Sequence, residues 1–131
     1  MGRLGGVHVV WLEDVPPIEL PGGSWSRVIL TGDRVGSASA LGFSSFAAHT
    51  ATAMLSHETE ELAYVLRGSG TLRLDDGSVP YGPGAALYIP AGVWHAVVND
   101  GDEDVTMVFA FPHPDYPPTE RRAPSAEGAA T

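Results

Sequence analysis

Two histidines and a glutamate stand where turns meet strand-like runs, and their types suit metal chemistry. In Ser56-His57-Glu58-Thr59-Glu60-Glu61 the imidazole and the last carboxylate face each other across a tight turn, and Glu61 opens the run Leu62-Ala63-Tyr64-Val65-Leu66. In Tyr88-Ile89-Pro90-Ala91-Gly92-Val93-Trp94-His95 a strand, a Pro/Gly turn and a histidine repeat that arrangement. A sheet that closes on itself directs all three side chains inward. Two neutral imidazoles and one carboxylate suit a divalent transition metal, Fe(II), Mn, Ni, Co or Zn, and leave positions open for water, substrate or oxygen. With such an ion the site carries about +1 net charge and attracts an enolate, a catecholate or a carboxylate.

Other chemistries are excluded by composition. The chain has no Cys, and all seven of its basic residues are Arg, so thiolate ligands, Cys nucleophiles, Schiff-base lysines and phosphate-loop lysines are unavailable. No Gly-x-Ser-x-Gly elbow supports a hydrolase triad. Sixteen acidic residues against seven basic ones give a net charge of −9, which sets the surface against nucleic acid and anionic membranes. The apolar run from Val7 to Leu12 is too short for a signal-peptide core and leads into Glu13 and Asp14. No stretch approaches the roughly 20 apolar residues of a membrane span, and the expected location is cytoplasmic.

The elements that must position these residues are short. Sixteen glycines and 11 prolines punctuate the 131 residues, a density that helices tolerate poorly. Strand-like runs lie at Val7 to Leu12, Arg27 to Leu30, Ala38 to Phe46, Leu62 to Arg67, Thr71 to Leu74, Ala86 to Ile89, His95 to Val98 and Val105 to Phe111. Gly68-Ser69-Gly70, Asp75-Asp76-Gly77, Gly82-Pro83-Gly84 and Asn99-Asp100-Gly101-Asp102 supply turns between them. This rhythm predicts an all-β sandwich or barrel with little helix, formed by residues 1–111 as a single domain. Residues 112–131, rich in Pro, Ala and charge, are expected to form a C-terminal arm or disordered tail.

The site residues resemble the motifs of the cupin superfamily. The second cupin motif, G-x5-P-x-G-x2-H-x3-N, is matched in full by Gly84, Pro90, Gly92, His95 and Asn99, and the first is matched at His57, Glu61 and Gly68. The first motif is broken where the family places its first histidine, since Leu55 stands there, and Thr50 occupies its opening glycine position. The resemblance implies an antiparallel β-barrel of the double-stranded β-helix or jelly-roll type with His57, Glu61 and His95 as metal ligands. It also implies a homodimer, which the segment from Val7 to Leu12 could extend as an edge strand. Leu55, two residues from His57, shares its face and should point into the barrel. Either it gives a chelating substrate room and an apolar wall, or the barrel is a metal-free binding pocket.

The expected function is that of a metal-dependent enzyme acting on an oxygen-rich, anionic small molecule. The ligand set favours non-haem dioxygenase chemistry, by analogy with Fe(II) oxygenases on other folds. The alternatives are a Lewis-acid isomerase, cyclase or lyase of the polyketide-cyclase type, and a non-catalytic binding protein. Met107 and Phe109 alternate on the last apolar strand and are candidate cavity walls beside Leu55. Trp94 should face away from His95, Tyr64 fits a core or interface position out of step with Glu61, and His49 sits in a remote turn. His8 and His113 have no paired acid nearby in sequence and are expected to face solvent.

Overall fold

The computed structural model describes residues 2–122, and its strands in chain order are β1 (Gly2–Leu4), β2 (Val7–Val9), β3 (Ile18–Glu19), β4 (Trp25–Leu30), β5 (Ala40–Phe46), β6 (Thr50–Ala51) and β7 (Met54–His57), followed by β8 (Glu61–Arg67), β9 (Gly70–Leu74), β10 (Gly77–Tyr81), β11 (Ala86–Ile89), β12 (His95–Asn99), β13 (Val105–Phe111) and β14 (Thr119–Arg122). One antiparallel sheet has the order β11-β8-β13-β5-β4-β3, and a second has β10-β9-β12-β7-β14 with β6 paired to β12. β1 and β2 form a separate hairpin. The single α-helical turn among the described residues, Gly32–Val35, is capped by Thr31, whose hydroxyl accepts the Arg34 N–H at 3.1 Å. No helix among them is long and apolar enough to cross a membrane.

The expected all-β fold is the one observed, and the strand period explains how it closes. On β13, Val105, Met107, Phe109 and Phe111 are buried while the residues between them are partly exposed, so one face of the strand supplies the core. Val65 of β8, Val105 and Phe111 are almost wholly excluded from solvent. Gly42 on β5 is required by close approach: a Cβ there would overlap the Phe109 ring lying across the strand. Gly68 has φ +82°, and a Cβ would stand 2.7 Å from the Asp104 carbonyl oxygen, so the β8–β9 turn excludes larger residues.

Several elements depart from expectation. The run from Val7 to Leu12 is strand only as far as Val9, and Leu12–Asp14 is a turn of 3-10 helix. β10 contains Pro80, which argues against a central strand. It lies at a sheet edge, where the missing N–H removes no ladder bond. Part of the expected C-terminal arm is a strand: β14 adds to β7 in register, with Thr119 opposite His57 and Arg121 opposite Leu55. Residues 123–131, the rest of the expected arm or tail, lie outside the described residues.

Asn99 locks the turn between the barrel's last strands. Its side-chain amide, 1% exposed, donates to the carbonyls of Phe46 at 3.0 Å and Glu103 at 2.9 Å and accepts the Gly101 N–H at 3.1 Å. Asn99→Ala leaves these groups without partners and should lower stability by about 2–3 kcal/mol. Urea unfolding monitored by tryptophan fluorescence checks this, and a loss below about 0.5 kcal/mol would contradict the assigned role.

Candidate metal centre

His57 ends β7, His95 begins β12 beside it, and Glu61 begins β8 in the opposing sheet. The cluster therefore spans the gap between the sheets. The Glu61 carboxylate Oε1 lies 3.2 Å from His57 Nε2 and 3.6 Å from His95 Nε2. One donor atom from each of the three residues falls within 4.8 Å of the others.

The far side of each ring fixes its tautomer. His95 Nδ1–H donates to the Val93 carbonyl at 2.9 Å. Thr119 Oγ donates its proton to the Pro117 carbonyl at 2.8 Å, so at His57 Nδ1, 2.8 Å away, it acts as acceptor. In the neutral rings both Nε2 lone pairs then face the Glu61 carboxylate. Three Lewis-base atoms converging in a buried site repel one another unless a proton or a metal ion lies among them. Two ligands held about 2.1 Å from one ion stand roughly 3.0 Å apart at a right angle and roughly 3.4 Å apart at a tetrahedral angle. The two Glu61 separations of 3.2 and 3.6 Å are close to that spacing, the three donors as a set spread to 4.8 Å and would draw in around an ion, and the outer hydrogen bonds are of the kind that orient metal-binding imidazoles. The group could hold a metal.

Electrostatics agree with this geometry. Burial pushes the Glu61 carboxyl up, but hydrogen bonds and charge from His57 and His95 together outweigh it, leaving Glu61 below its ordinary value. Burial pushes His95 down, and here the Glu61 hydrogen bond, the Val93 carbonyl and the Glu61 charge prevail, raising it. Tyr116, edge-on to His57 with ring centroids 5.5 Å apart, is pushed up to about 12 by burial and the nearby Glu61 charge.

The three cluster residues are among those that line a cavity of about 410 Å³. Leu55, Met107 and Phe109, the three candidate wall residues, are among the residues that line it. Tyr116, Thr119 and Arg121 line it too, and none of these was among the candidates. Their segment is short, proline-rich and charged, and its only local sign of a strand is that Thr119 and Arg121 are two residues apart.

The remaining residues are elsewhere. Trp94 packs under Arg122, with the guanidinium carbon 4.4 Å from the ring centroid. Tyr64 is half-exposed on the outer face of β8, so it is not a core residue. His49 pairs with Asp102 at 3.1 Å on the surface, away from the cluster. His8 and His113 are half-buried rather than solvent-facing: His113 Nδ1 bonds to Asp115, and His8 Nδ1 is buried without a partner.

Comparison with known proteins follows the same lines. A family model described as "Cupin domain" matches residues 42–111. Protein SchB of Streptomyces halstedii is 34% identical over 116 residues, covering 82% of each chain. The polyketide cyclase RemF from Streptomyces resistomycificus superimposes with a TM-score of 0.75 at 26% identity, over 93% of this chain and 89% of that one. A predicted oxalate decarboxylase from Thermotoga maritima superimposes with a TM-score of 0.69 at 19% identity, over 79% and 97% of the respective chains, and shares the fold.

The two shifts fix a stability window for metal-free protein. Glu61, lowered, contributes stability that is present above its ordinary value of 4.5 and lost as pH falls through its folded value. His95, raised, contributes stability that is present below its ordinary value of 6.5 and lost as pH rises through its folded value. The contribution of the pair is therefore largest between pH 4.5 and 6.5. Thermal melts in chelator should show Glu61→Gln losing most of its stability difference from the parent outside that range. A difference independent of pH would contradict the pairing.

Proposed function

The chain belongs to the cupin family, and on that premise we propose that it is a metal-dependent enzyme that enolises and cyclises a polyketide-like small molecule. The observation that carries this reading is the convergence of His57, Glu61 and His95 donor atoms on one end of a largely apolar cavity of about 410 Å³, a volume suited to a small-molecule substrate. The likeness to the RemF cyclase, 26% identical over nearly the whole chain, favours carbonyl chemistry of that kind. A bound divalent metal would supply Lewis acidity, polarising neighbouring carbonyl oxygens so that the C–H between them becomes acidic.

The chain's own residues complete the site. Thr119 and Val93 hold the two imidazoles with Nε2 toward the substrate end. Leu55, Ile89 and Phe109 line the cavity and exclude the water that would compete with ring closure. Tyr116 Oη, its proton held to about pH 12, remains a hydrogen-bond donor at neutral pH rather than a base. Arg121 lines the cavity and has no ion pair among the described residues, which suits the anionic end of a substrate. Dioxygenation is a second reading, favoured by the ligand types alone: two imidazoles and one carboxylate.

Protein purified without chelator or added metal should hold about one transition-metal ion per chain by mass spectrometry, and His95→Ala should lose it. Proton NMR in deuterium oxide should show exchange at the central carbon of 1-phenylbutane-1,3-dione, slowed at least tenfold by His95→Ala or chelation, an effect of about 1.4 kcal/mol or more. Metal-free protein with no exchange sinks the enzyme reading. Exchange absent but dissolved oxygen consumed with a polyketide substrate transfers the assignment to dioxygenation.

The functional unit proposed is a homodimer. Leu62, Tyr64, Leu66 and Tyr88 are each half-exposed or more on the outer faces of the paired strands β8 and β11, and the separate N-terminal hairpin exposes Leu4 and Val7, apolar surface of the kind that mates between copies. Light scattering after size exclusion should give twice the chain mass, with Tyr64→Glu plus Tyr88→Glu shifting it to one. A parent protein of single-chain mass overturns this.

A further inference from the structure

The cavity has a second polar station that the metal chemistry does not use. Ser44 on β5 is 4% exposed and Ser26 on β4 is directly opposite it in register, and both line the cavity wall. Their hydroxyl oxygens are 2.8 Å apart. Every other serine or threonine hydroxyl on that wall is tied to the backbone. Ser24 accepts the Ala47 N–H, Thr52 accepts the Val97 N–H and donates to Ala53, and Thr119 donates to Pro117. Among the described residues, the Ser26 and Ser44 hydroxyls bond only to each other. Of their two hydroxyl protons the mutual bond takes one, so one O–H and several lone pairs remain for a further partner.

The strand register places this pair far from the metal cluster. Met107 pairs with both Val65 and Ser44, so Ser44 shares a row with Val65, four residues along β8 from Glu61 and two strands over. At strand spacings this is ~13 Å along the sheet and ~10 Å across it. Between the two stations the wall is apolar, with Phe109 lying across Gly42. Half-satisfied hydroxyls on such a wall carry a desolvation cost that a ligand oxygen would relieve.

We propose that Ser26 and Ser44 form a recognition subsite for a hydroxyl or carbonyl oxygen remote from the metal-chelating end of the ligand. The substrate class is thereby an elongated, planar or extended molecule oxygenated at both ends, rather than a small dicarboxylate such as oxalate, which cannot span the two stations. This rests on the cavity being the substrate site, as proposed above, but does not require the metal chemistry.

The test compares 1-hydroxy-6-phenylanthraquinone with 1-hydroxy-6-(4-hydroxyphenyl)anthraquinone, titrated into the full chain by calorimetry. Both carry a chelating hydroxy-ketone, and only the second has a distant hydroxyl. The extra hydroxyl should improve affinity about three- to tenfold. Ser44→Ala and, separately, Ser26→Ala should abolish that gain while leaving the monohydroxy probe's affinity within about twofold. Two variants guard against one failing to fold. A gain that survives both substitutions, no gain in the parent, or no binding of either probe overturns the subsite. Repeating the titrations in chelator separates the two proposals. Loss of the affinity common to both probes with the gain retained removes the metal's part and leaves the subsite standing, whereas loss of the gain alone does the reverse.

Discussion

Three Lewis bases converge across the gap between two sheets, and the local structure around them serves to hold that unfavourable arrangement. Two imidazole lone pairs and a carboxylate at 3.2 and 3.6 Å repel unless a cation lies between them. The hydrogen bond from His95 to Val93 and that from His57 to Thr119 prevent either ring from rotating to relieve the repulsion. Such preorganisation is costly in a free chain and is supported by strand pairing on both sides: His95 opposes Leu55 in β7, and β7 is in turn held by β14.

That dependence gives β14 a role out of proportion to its length. It is a four-residue edge strand, three of whose residues are exposed, so it buries little apolar surface of its own. Thr119 nevertheless fixes one imidazole, Tyr116 just before it places a ring against His57 and Phe111, and Arg122 covers Trp94. Arg122 is also bound to Asp75 at 2.6 Å, tying the edge back to the β9–β10 turn. Arg121, alternate to Arg122, falls on the cavity side by strand parity. One short segment thus closes the barrel and furnishes part of the site.

What was legible in the sequence follows from range. His57 and Glu61 are close along the chain, and His95 follows a Pro/Gly turn with a recognisable spacing, so local pattern was enough to pick them out. Strand parity likewise assigned Leu55, Met107 and Phe109 to the interior. Thr119 was not legible, because its part depends on pairing with His57 across 62 residues and on a proton donated to Pro117, neither of which has a local signature. Ser26 and Ser44 were missed for the same reason: serine in a strand is unremarkable until its partner and its free proton are known. His8 and His113 were misplaced because absence of a neighbouring acid in sequence says little about burial.

The charge of the molecule also takes on a different meaning once the site is in view. A net charge of −9 argues against an anionic polymer, whose many charges would meet the whole surface. A small anion entering the cavity meets mainly the groups that line it, where screening by bulk water and salt is weakest. Those groups include an exposed guanidinium, that of Arg121, which has no ion pair among the described residues, and a buried cluster whose single carboxylate, with a divalent ion, would sum to about +1. With such an ion bound, the long-range field would repel weakly while the short-range field attracts. On the proposed reading this combination would favour small, singly charged ligands over large polyanions without any residue dedicated to rejecting them.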